Sequence, residues 1–215
     1  MNGRYPVLGS ILAASLALAA PVFAGPPLLC FPFETGGAKT LPMRSGDWKS
    51  VDPNYDVSHL VADTLALLTP STPVVARMET IRRATIYAST HPQAAAELLA
   101  AVQARAAAPK AATAASWVFD FGYLAETFKQ ATYMFAWPVK GLNEIDGYQL
   151  VLQAVALQND PAMEFGAAVI AQGSANAALR AESRTHLDRA MIGAKNDAAL
   201  NASVTKHFRN TAELR

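Results

Sequence analysis

An all-α fold is predicted, built of antiparallel helical hairpins behind an extended N-terminal arm. Three observations predict it. Alanine and leucine dominate the chain, and alanine costs least to place in a helix. From residue 56 onward apolar residues recur with a period near 3.6. Prolines and Asx residues punctuate the gaps between those periodic stretches, where helices start and stop.

The first element is an export signal. Arg4 supplies a positive start, the run from Val7 to Ala20 is apolar or small, and Val22 and Ala24 form a small-residue cleavage pattern. Residues 1–24 are therefore expected to be a cleaved signal peptide of bacterial type. A retained anchor would need about 20 apolar residues, more than this run provides. The periplasm or the exterior is the expected destination, with no stable membrane span after cleavage.

Residues 25–55 carry Pro26, Pro27, Pro32, Pro42 and Pro53 with Gly36 and Gly37, which forbid a long helix or a central strand. Leu28, Leu29, Phe31, Phe33 and Trp48 are nevertheless too apolar for a disordered tail. An arm laid across a helical body accommodates both facts.

Residues 56–215 are expected to form the helical domain. Val57, Leu60, Val61, Thr64, Leu65 and Leu68 make one stripe, ended by Pro70. Ser71 and Thr72 before Pro73 open a second helix, with Val74, Met78, Ile81 and Thr85 inward and Glu79 paired to Arg83 on an open face. Arg77, Arg82 and Arg83 are expected on solvated surface. Pro92 opens a third helix whose inward residues are Ala95, Leu98, Leu99 and Val102, fading into alanines before Pro109. Further helices are predicted at about 113–135, 145–157, 161–173, 177–194 and 197–208.

The openings THPQAAAELL, NDPAMEFGAAV and NDAALNASV are alike and spaced near multiples of 34 residues. Over residues 75–205 the chain resembles tetratricopeptide helical hairpins, with Tyr148 and Ala154 on one helix, Asp160 and Pro161 at the junction, and Phe165 and Gly166 on the next. The resemblance implies a solenoid of hairpins; an irregular bundle is the alternative. The run CFPFETGGAKTLP is similar to one in small secreted bacterial proteins with no assigned activity. In their form histidine follows the cysteine and aspartate follows the second phenylalanine, where this chain has Phe31 and Glu34. Any cysteine–histidine site implied by that histidine would be missing here.

Charge and motifs narrow the function. With 18 basic and 17 acidic residues the net charge is +1, so nothing points to nucleic acid as partner. His59, His91, His186 and His207 fall in no metal-binding frame, and no phosphate loop or nucleophile elbow is present. No cofactor or metal is expected, Glu182 and His186 being read as an exposed pair one helical turn apart. Cys30, the single cysteine, is either a buried small hydrophobe or a reactive thiol. Bulky Leu28 and Leu29 before it argue against lipidation. Trp117, Phe121, Leu124 and Phe128 make one stripe, which Phe119, Tyr123, Tyr133 and Trp137 widen beyond one helical face, marking either a central core helix or the wall of a groove. The expected function is a non-enzymatic interaction module binding a protein or peptide, with Cys30, Trp117, Tyr123, Tyr133 and Trp137 as candidate binding residues. The alternatives are a thiol-dependent enzyme or redox protein using Cys30, and a binder of small apolar ligands.

Overall fold

The computed structural model describes residues 26–108 and 113–212, the last four as backbone alone. The expected signal peptide and Pro109 lie outside the described residues. The fold is all-α. After the short α1 (Pro27–Cys30) come α2 (Leu60–Leu67), α3 (Val74–Ala88), α4 (Pro92–Ala107) and α5 (Ala114–Phe135). The chain continues through α6 (Gly147–Gln158), α7 (Pro161–Gln172), α8 (Ala177–Ala194) and α9 (Ala198–Ala212). Among the described residues there is no strand, only an isolated antiparallel bridge between Met43 and Val51. No helix in that range is long and apolar enough to cross a membrane.

The helix starts follow local chemistry. Asp146, Asp160 and Asn176 each accept a hydrogen bond from a backbone N–H of the first turn, and proline occupies the opening of α4 and α7. Asn159 closes α6 in the left-handed conformation that asparagine tolerates. It thereby turns the chain straight into the Asp160 cap.

Helices α7 and α8 run antiparallel. Ser183 Oγ bonds the Ala168 carbonyl at 2.8 Å, and Arg189 reaches Glu164. Helices α5 and α6 pair through Gly122 and Gly147, where a Cβ on either would come within 2.5 Å of the other's carbonyl oxygen. Small side chains let these backbones meet, so neither glycine can be replaced without parting the helices.

Helix α3 organises the rest. It packs against α1, α2, α4, α5, α7 and α9, and every residue of it except Arg83 is buried. Contacts from α3 to α7 and α9 skip intervening hairpins, which a stack of units touching only their neighbours does not do. The helices close into an irregular bundle around α3.

That centrality corrects two expectations. Glu79 does pair with Arg83, at 2.6 Å, but Glu79 is fully buried rather than on an open face. Arg77 and Arg82 are each 1% exposed, not solvated. Arg77 instead bonds Asp120 of α5 at 2.5 Å and the carbonyls of Thr69 and Thr72, tying the α2–α3 loop to the bundle. The arm is as deeply built in as its apolar residues required. Leu28, Leu29, Phe33 and Leu41 are buried, and the Leu28 N–H donates to Gln130 of α5.

Candidate functional site

The arm and α3 together enclose a dense polar constellation. Glu79 accepts two bonds from Arg82, at 2.7 and 2.9 Å, one from Arg83, and one from the Phe33 N–H at 3.0 Å. Arg82 also donates to the carbonyls of Leu29 and Trp48, and Arg83 to that of Leu41. Two guanidiniums on one helix thus spend their donors on three separate points of the arm. Burial alone would raise the Glu79 carboxyl, yet Arg82, Arg83 and the Phe33 amide together hold it below the usual carboxylate range.

Residues 43–51 arch over this network. The Arg44 N–H meets the Ser50 carbonyl at 3.0 Å, and Gly46, at φ +127, makes a bend that a side chain would resist. Tyr87 fastens both ends of the arch, its hydroxyl donating to the Pro42 carbonyl and accepting from the Asp52 N–H. Beneath lies a cavity of about 740 Å³, within the range of ligand sites. Cys30, Phe31, Met43 and Trp48 give it an apolar side, and Arg44, Arg82, Arg83 and Lys206 a cationic one.

Cys30 is a free, half-buried thiol in that wall. Burial pushes its pKa up, Arg82 pulls it down, Asp47 pushes it up again, and the balance is upward. An activated thiolate would need the opposite balance.

The other four candidate residues do not share a groove. Tyr123 is fully buried, stacked on Phe119 and edge-on to Phe33, and burial pushes its hydroxyl well up. Trp137 is also buried, against Phe128. Trp117 is half-buried under the Arg105 guanidinium, 4.6 Å from its ring centre. Tyr133 is 88% exposed, on a stretch of α5 lying past its pairing with the start of α6. The two-faced aromatic helix is a core helix, as the first of its two readings had it.

Sequence reasoning missed Trp48, Arg44 and the Glu79–Arg82–Arg83 cluster as site residues. A signal for the cluster was present: VVARMETIRRATIYA carries apolar residues on every face, so any charge on it must be buried and paired.

A second cluster joins three helices. The Tyr148 hydroxyl lies 2.8 Å from Glu182 and 3.0 Å from His186 Nε2, and His186 Nδ1 lies 2.5 Å from Glu164. Glu182 and His186 are thus bridged by tyrosine, and His186 is buried rather than exposed. If Tyr148 donates to Glu182, its oxygen is left to accept from His186 Nε2–H. Burial and Glu182 both push the Tyr148 hydroxyl up, which keeps it protonated. None of these residues lines the cavity under the arm. Among the described residues, no three His, Cys, Asp or Glu side chains are placed to hold a metal ion. Comparison with protein-family models, with curated proteins and with solved structures finds no match for this chain.

Proposed function

We propose that this protein is an exported, non-enzymatic binding module, which takes a segment of a partner protein into the cleft between its N-terminal arm and α3. The observation that carries the reading is the cleft itself. Its floor is locked by Glu79 and Arg82, and its roof is tied down by Tyr87. A pre-shaped wall spares a ligand the cost of ordering it, which is how modest contact area becomes affinity. Trp48 and Phe31 offer the aromatic anchors that peptide ligands favour. The upward shift of Cys30 gives a thiol-dependent enzyme no support.

The experiment is selection of binders from a displayed random-peptide library on the mature protein, followed by affinity measurement on two variants. Trp48→Ala should weaken the selected peptides by about tenfold or more, a typical loss for a central aromatic anchor. Tyr133→Ala should leave them unchanged. Failure to enrich any peptide, or equal loss in both variants, would overturn the reading.

A further inference from the structure

We infer that the cleft under the arm recognises a carboxylate, carried on an acidic, aromatic-containing segment of the partner protein. The inference rests on the proposed binding role and names its ligand chemistry. Glu79 brings one negative charge to two guanidiniums, buried Arg82 and half-buried Arg83, so the trio retains a positive charge on the cavity lining. A buried cation lacking full compensation is costly, and an incoming anion relieves that cost.

The donors to receive an anion are at hand. Arg83 spends Nε on Glu79 and Nη1 on the Leu41 carbonyl, while its Nη2 has no hydrogen-bond partner among the described residues. Its side chain is 23% exposed, enough for that edge to reach a ligand. Arg44 lies on the roof with no acidic partner in the same range. Lys206 is already paired with Glu34 at 2.9 Å and is not needed. Asp47 is the one acidic rim residue; against it stand the trio's surplus charge and Arg44, so the cleft stays positive. The Arg44 guanidinium suits a carboxylate because the two oxygens match its paired N–H groups, and Arg83 Nη2 adds a single donor. Phe31, Met43 and Trp48 supply the apolar flank that selects aromatic neighbours of the acidic residue.

The test uses two labelled peptides read by fluorescence anisotropy against the mature protein. One is a short alternation of phenylalanine and glutamate, and the other replaces every glutamate by glutamine. The glutamate peptide should bind about tenfold or more tightly, which is about 1.4 kcal/mol, because a charge-assisted hydrogen bond is stronger than a neutral one. Arg44→Ala, at an exposed position, should erase most of that preference, and Arg83→Gln the remainder. Raising salt should shrink it as well. Equal binding of both peptides, unchanged by either substitution, would overturn the carboxylate inference and leave the peptide-binding reading standing. Binding of neither peptide would overturn the carboxylate inference, the peptide-binding reading being decided by the library selection. Equal inhibition of the glutamate peptide by free acetate and by free acetamide would trace the preference to non-specific competition and likewise overturn it.

Discussion

His207 lies flat on Phe33, ring centroids 4.4 Å apart and planes 11° from parallel, so the C-terminal helix is stacked directly on the N-terminal arm. Phe165 and Phe31 meet the same imidazole edge-on. This contact closes the bundle end to end in sequence and carries a pH signature.

Burial pushes His207 down to about 4, against the backbone carbonyls of Ser203 and Phe31, which raise it. The folded state therefore keeps the ring neutral, while the unfolded chain accepts a proton near 6.5. The stability this provides is present above pH 6.5 and is lost as pH falls through about 4, amounting to about 3 kcal/mol. Urea unfolding of His207→Phe across pH 7 to 4 should show that loss removed. Parallel curves for parent and variant would contradict it.

Asp120 works in the opposite sense. Burial raises it to about 6 despite the Arg77 ion pair, so the folded state holds a proton that the unfolded chain releases near 3.8. Its stabilisation is present below pH 3.8 and is lost as pH rises through 6, again about 3 kcal/mol. Between pH 4 and 6 the two slopes oppose each other in the parent. Asp120→Asn should expose the His207 slope, losing stability more steeply than the parent as acid is added. An unchanged profile would show that Asp120 is ionised in the fold.

Glu79 is the keystone of the arm. Glu79→Gln leaves two guanidiniums without their carboxylate, and breaking a buried pair costs about 3–5 kcal/mol. The first part to loosen should be residues 28–33, which Arg82 and Glu79 hold by backbone bonds. Alkylation of Cys30 is expected to be slow in the parent and to accelerate in the variant at a pH where both remain folded by circular dichroism. Identical alkylation rates would separate the network from the arm.

Ala136 ends α5 with φ +50, a left-handed conformation that costs an alanine about 1–2 kcal/mol. Ala136→Gly relieves it at the expense of extra freedom in the unfolded chain. The net should be a rise in stability of up to about 1 kcal/mol, measured as a higher Tm. A lower Tm would mean that the Ala136 methyl contributes more than its strain removes.

Much of the fold was legible because it is written locally. Asp160 with Pro161, Asp197, and the proline at 92 mark helix starts by local chemistry that needs no tertiary information, and those helices begin where expected. The arm's attachment was legible from the apolar content of LLCFPF. What was not legible is which helix sits at the centre. Treating α3 as amphipathic put Glu79, Arg77 and Arg82 in solvent, whereas six neighbouring elements enclose it. The candidate site suffered in the same way. Periodicity assigns Tyr123 and Tyr133 to faces of α5, but only tertiary packing shows that neighbours bury the first and that α6 begins too far back to cover the second. Of the five candidate residues, Cys30 alone lines the cleft. Its partners there arrive from the arch at 43–48 and from α3, separations that no short motif encodes.

The central claim is that the arm and α3 form the binding surface. Its most direct measurement is an amide NMR titration of the isotope-labelled protein with the phenylalanine–glutamate peptide. Shift changes confined to residues 30–31, 43–48, 82–83 and 206 are the predicted result. Changes centred on exposed Tyr133, or on Leu157, Met191 and Ile192, with the arch unperturbed, would contradict it.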